Sequence, residues 1–87
     1  MNVYIPTPLR SYTTTNVVQA DGATLAELFA DLDRQFPGIR FRVINEQDEI
    51  RQHIKLFVNQ SDTKELSAAL KPSDRIQIVM AISGGRQ

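Results

Sequence analysis

One stretch of this 87-residue chain has the length and periodicity of a full helix, and it constrains everything else. It reads "DGATLAELFADLDRQFPG", Asp21 to Gly38. Asp21-Gly22 makes a turn, and Thr24 and Glu27 stand in capping-box spacing, three residues apart. Leu25, Leu28, Phe29, Leu32 and Phe36 then fall at i, i+3, i+4, i+7 and i+11, one apolar stripe along about three turns. Pro37-Gly38 stops the helix, because proline breaks the hydrogen-bond ladder and glycine tolerates the conformations found just past a helix end. A single stripe must be covered by a single apolar surface, and a chain this short has room for only one core.

The rest of the chain supplies β-like runs to make that surface. Asn2–Ile5 is short, with Val3 and Ile5 on one face, and Pro6 and Pro8 end it. Residues 12–20, rich in Thr13, Thr14, Thr15, Val17 and Val18, read as a second strand, giving an N-terminal hairpin with a long turn. Residues 39–52 read as irregular, with a short strand at each side of an exposed Asn45–Glu49 turn. Residues 53–59 form a strand with Ile54, Leu56 and Val58 on one face and Lys55 and Phe57 on the other. Residues 60–64 look turn-like, 66–70 suit a short helical turn, and Pro72-Ser73-Asp74 is a turn. Residues 75–82 close the domain as a strand, with Ile76, Ile78, Met80 and Ile82 opposite Gln77, Val79 and Ala81. The order predicts an α+β fold, a mixed sheet with one main helix packed on one face.

Composition narrows the function. Ten basic and ten acidic residues cancel, leaving no basic stripe for nucleic acid. The absence of cysteine removes disulfides, thiolate metal sites and a cysteine nucleophile. His53 is the one histidine; without a second ligand it reads as a polar strand-end residue, and neither a metal site nor a catalytic pair is expected. Asp31, Asp33, Glu46, Asp48 and Glu49 read as solvated carboxylates. Met1–Pro6 has no signal-peptide character and no run is long enough to span a membrane, so a cytoplasmic location is expected.

The element order, together with "VYIPTPLR", the helix segment "DGATLAELFADLDRQFPGIR", the strand "HIKLFVNQ" and the ending "LKPSDRIQIVMAISGG", resembles the ubiquitin-like β-grasp proteins, and among them the MoaD/ThiS sulfur carriers. The resemblance spans nearly the whole chain, and the middle strand and the ending look most like the branch serving cysteine and related sulfur pathways. It implies a β-grasp domain over residues 1–82 and a flexible tail over 83–87. It also implies that the Gly85 carboxylate is adenylated by an E1-like enzyme and then converted to a thiocarboxylate that a sulfur-acceptor synthase consumes. No cofactor is bound in such a scheme; ATP is used by the activating partner. Gly84 and Gly85 suit a tail that threads a narrow channel, since residues without a Cβ allow close backbone approach.

The ending departs from the simplest family pattern. Gly85 is joined to Arg86, and the free carboxylate belongs to Gln87. Some family members carry such extensions and lose them to a JAMM-type zinc metalloprotease, so the resemblance implies cleavage between Gly85 and Arg86. The other reading is a tail without a role. Phe57, Val79 and Ala81 share the outer face of the expected sheet and are the candidate partner-binding residues, the alternative being that Phe57 is covered by Phe41 and Ile44. Arg40, Arg42, Arg51 and Lys55 either gather at one edge and dock an acidic partner or form a solvated face. A ubiquitin-like modifier conjugated through Gly85 and a non-catalytic β-grasp interaction module stand beside the carrier as alternatives.

Overall fold

A computed structural model describes residues 1–81. In chain order the elements are β1 (Asn2–Tyr4), a 3-10 turn (Thr7–Leu9), α1 (Arg10–Thr13), β2 (Val17–Gln19), α2 (Leu25–Gln35), α3 (Ile39–Val43), β3 (Ile54–Val58), β4 (Ser61–Thr63) and β5 (Arg75–Met80). The five strands form one mixed sheet in the order β2-β1-β5-β3-β4. β1 runs parallel to β5, and every other pairing is antiparallel. The expected α+β architecture is present, with β5 at the centre.

α2 is built as its pattern predicts. The Thr24 hydroxyl accepts the Glu27 N–H at 3.3 Å, and the Glu27 carboxylate reaches back to accept the Ala23 N–H at 3.1 Å. Leu25, Leu28, Phe29 and Leu32 are completely buried, each contributing about 1.5–3 kcal/mol of apolar burial. Phe36, at the helix end, is half-buried against the same core. The sheet meets this stripe with Val3, Val18, Ile54, Leu56, Ile76 and Ile78, so the predicted inner faces of β1, β3 and the described part of β5 are correct.

Four segments differ from expectation. Residues 12–20 are not one strand: Tyr12 and Thr13 belong to α1, Thr14 ends it in the left-handed region (φ 61°), and only Val17–Gln19 pairs with β1. Buried Leu9 and Thr13 anchor this detour, a tertiary pull that overrides the β preference of the threonines. Residues 39–43 are helical, with Ile39 and Val43 buried one turn apart, and a single Ile44–Ile50 bridge replaces the flanking strands. Residues 61–63 form the edge strand β4 against β3. Residues 66–70 make no helical turn; they run beside the start of α2, where the Ala68 and Leu66 carbonyls accept the Leu25 and Ala26 N–H groups.

Two carboxylates expected to be merely solvated organise backbone. Asp33 accepts the N–H groups of Gly38 and Arg40 at 3.0 and 3.2 Å, capping α3 from α2. Asp31 accepts the Asp21 N–H at 3.0 Å and pairs with Arg34, tying the turn before α2 to the helix body. Asp48 pairs with Arg40 at 3.1 Å.

Candidate functional site

The expected working residues Gly84, Gly85 and Arg86 lie outside the described residues, as does Ile82. What is described is the strand that leads to them. β5 is hydrogen-bonded to β3 along Ile76–Met80, and Ala81 continues the ladder by donating its N–H to the His53 carbonyl at 2.8 Å. On its other side β5 pairs with β1 only as far as Gln77, opposite Tyr4. Two residues beyond Tyr4, Pro6 has no N–H with which to continue that ladder, and a groove of about 410 Å³ opens between Ile5–Pro8 and Ile78–Met80.

Because side chains alternate across a strand, the face of the sheet opposite α2 can be read from the register. One row crosses it as Val17, Tyr4, Gln77, Phe57 and Asp62; the next places Lys55 opposite Val79. Phe57 is half-buried, Val79 is 36% exposed, and Ala81 is exposed. Phe57 and Val79 are diagonal neighbours, about 7–8 Å apart by sheet geometry, within reach of one docking group. The expected Phe57–Val79–Ala81 face therefore exists as a surface. Ile44 is fully buried in the core, against which Phe57 does not pack, and Phe41 is 51% exposed and lines a cleft with Arg42, Arg51, His53 and Met80. Tyr4 joins the same row, with the Arg75 guanidinium 5.7 Å from its ring centroid. Tyr4 was not among the sequence candidates, although the inward pair Val3 and Ile5 already implies that it faces outward.

The four cations divide. Arg40 turns to Asp48, and Lys55 is exposed on the outer face of β3. Arg42 and Arg51 line one cleft of about 300 Å³ with Phe41, His53 and Met80. His53 is an exposed strand-end residue, as expected. Among the described residues no group of three or more His, Cys, Asp or Glu is placed to hold a metal ion, and no helix is long and apolar enough to cross a membrane.

Three comparisons bear on this arrangement. The model of the ThiS family matches residues 3–85. The sulfur carrier protein CysO of Mycobacterium tuberculosis is 31% identical over 91 aligned residues, covering 98% of each chain. Among solved structures, a chain of the Amycolatopsis orientalis BexX/CysO complex superposes with a TM-score of 0.89 at 34% identity, covering 97% of this chain and 98% of that one. SAMP1 of Haloferax volcanii gives a TM-score of 0.83 at 23% identity, covering 98% of each chain, a likeness of fold alone. The β-grasp architecture and a family match from Val3 to the second glycine of the ending lead to one conclusion: the chain belongs to the ThiS family.

Proposed function

We propose that this chain is a sulfur carrier, a protein cosubstrate and not an enzyme, whose working end is Gly85. The observation that carries the reading is the placement of β5. The central strand holds its ladder to Ala81, one residue past the end of β5, and the family match continues to Gly85 and leaves Arg86-Gln87 outside it. From Ala81 to Gly85 is four residues, a reach of at most about 14 Å when extended. That is enough for a carboxylate to enter a partner's active site while the sheet stays docked outside.

The chemistry follows from the weakness of a carboxylate as an acyl donor. A Gly85 carboxylate oxygen attacks the α-phosphorus of ATP in an E1-like partner, and pyrophosphate leaves. Hydrosulfide released by a sulfur donor then adds to the acyl carbon of the adenylate, AMP departs and the S–H proton is lost to solvent, leaving a thiocarboxylate for an acceptor synthase. A relative's occurrence in a BexX/CysO complex supports a partner-dependent role of this kind. Curated relatives named as sulfur carriers support the cysteine-type branch.

In the unprocessed chain Gly85 has no carboxylate, since its carbonyl carbon is in the peptide bond to Arg86. Cleavage of that bond, by a JAMM-type metalloprotease, is the activating step in this reading. Phe57, Val79 and Ala81 dock the activating enzyme, and Gly84 gives the tail its slack. The test compares residues 1–85 with residues 1–87 in pyrophosphate release by the cognate E1-like enzyme with ATP. Release with the shorter chain only is expected; equal release with both would remove the precursor step. A ladder of heavier conjugates in host extracts would replace the carrier with a protein modifier.

A further inference from the structure

The cleft beside the end of β5 has features that the tail chemistry does not use. Phe41 is 51% exposed, and the Arg51 guanidinium lies over its ring, 4.6 Å from the centroid. Arg51 is held there twice more, its Nε donating to the Phe41 carbonyl at 2.8 Å and its backbone N–H to the Val43 carbonyl at 2.9 Å. A guanidinium fixed in this way loses little conformational freedom when it meets a carboxylate, and stacking on a ring leaves it weakly hydrated. Arg42 and His53 line the same cleft, Met80 closes it, and no carboxylate is among the lining residues. Among the described residues neither Arg42 nor Arg51 makes an ion pair, whereas Arg34 and Arg40 both do. In a chain whose charges cancel, this is a local excess of positive charge, set beside the His53–Ala81 hydrogen bond from which the tail departs.

We infer that this cleft docks an acidic segment of a protein partner, with Arg42 and Arg51 each meeting a carboxylate and Phe41 packing against the segment's apolar atoms. The inference adds to the carrier reading, on which it rests only in supposing that partners approach the β5 end. A nucleotide is the poorer occupant, because one face of Phe41 is already taken by Arg51 and the cleft lies at a strand end without a helix N-terminus to receive phosphate. A salt-dependent encounter at this spot would orient the protein so that the tail faces the partner.

The experiment is an amide-resolved NMR titration of the full chain with hexaglutamate, hexaglutamine and AMP as separate probes. Hexaglutamate is expected to shift Phe41, Arg42, Arg51 and His53 in particular, with a dissociation constant that rises with salt, while hexaglutamine leaves them in place. Arg42→Glu, an exposed substitution that spares the Arg51–Phe41 stack, should weaken hexaglutamate binding by about tenfold or more through like-charge repulsion, and Arg42→Lys should retain most of it. Shifts spread over all surface lysines and arginines, or equal binding by Arg42→Glu, would overturn the inference. A response to AMP stronger than to hexaglutamate would assign the cleft to nucleotide instead. The titration reads the cleft alone, so it can fail while thiocarboxylate formation succeeds, and the reverse.

Discussion

Replacing Gly22 with alanine tests the packing that holds the turn before α2. A Cβ at Gly22 would lie 2.4 Å from the Leu28 nitrogen, 2.8 Å from the Glu27 carbonyl carbon and 2.9 Å from the Leu28 Cα. Ordinary carbon contacts sit near 3.5–4.0 Å, so the methyl is about 1 Å too close. All three neighbours are backbone of the first turn of α2, fixed by the Leu28 N–H to Thr24 carbonyl bond at 2.9 Å and by the complete burial of Leu28. Relief must come from lifting residues 21–23 away from the helix. That would strain the Leu70 to Ala23 hydrogen bond (2.8 Å) and the Asp21 to Asp31 bond (3.0 Å). Overpacking of this kind costs about 1–3 kcal/mol. Against it stands about 0.4–1 kcal/mol gained by stiffening the unfolded chain, leaving a net loss within about 0–2.6 kcal/mol and centred near about 1.3 kcal/mol. For a domain of this size the central value lowers the thermal midpoint by about 5–10 °C, measured by circular dichroism. Gly38 is the internal contrast. There the added Cβ meets only the Tyr12 ring edge at 3.3 Å, and the cost comes from φ +98°. Gly38→Asn should therefore recover part of the loss seen in Gly38→Ala, since asparagine tolerates positive φ, while Gly22→Asn should recover none relative to Gly22→Ala. A Gly22→Ala midpoint equal to or above that of the parent would refute the close-packing argument.

Three further outcomes are expected. Asp74 accepts the Lys71 N–H at 2.8 Å and the Asn59 side-chain amide at 3.1 Å, and these bonds, the backbone one foremost, hold its carboxyl below the ordinary value of 3.8. A pKa lower in the folded state means a stabilisation present above about pH 4 that is lost as pH falls through the folded value; urea midpoints from pH 6 to pH 2 should drop more steeply for the parent than for Asp74→Asn. Phe57→Ala removes a half-buried ring from the outer face of the sheet, so the KM for adenylation of the processed chain should rise by about 5–30-fold, as for loss of a docking contact of 1–2 kcal/mol, with the α-helical dichroism unchanged. Gly85→Val in residues 1–85 should abolish pyrophosphate release while leaving the unfolding midpoint within the scatter of the parent.

What the sequence makes legible follows from how each element is stabilised. α2 announces itself because its cap, stripe and stop are all local, and β3 and the described part of β5 because one face of each is buried and alternation records that. β4 leaves no such record: Ser61, Asp62 and Thr63 sit at the sheet edge, where the ladder to β3 holds the strand and no residue is buried. α3 is five residues long, too short for periodicity, and its start depends on Asp33 reaching across from α2. The threonine-rich segment misleads because β preference is weak against the burial of Leu9 and Thr13. At the candidate site, the Phe57–Val79 face could be read from alternation. The Phe41–Arg51 stack could not, since it joins a short helix to a loop ten residues away.

The central claim is that the protein works through the carboxylate of Gly85 once Arg86-Gln87 are gone. Intact-mass spectrometry of the protein purified from its own host addresses it directly. The account predicts a species ending at Gly85, a fraction of it with one terminal oxygen replaced by sulfur. Thiocarboxylate found on a chain that still carries Arg86-Gln87, or a host pool ending at Gly85 in which sulfur never replaces oxygen under sulfur demand, would contradict it.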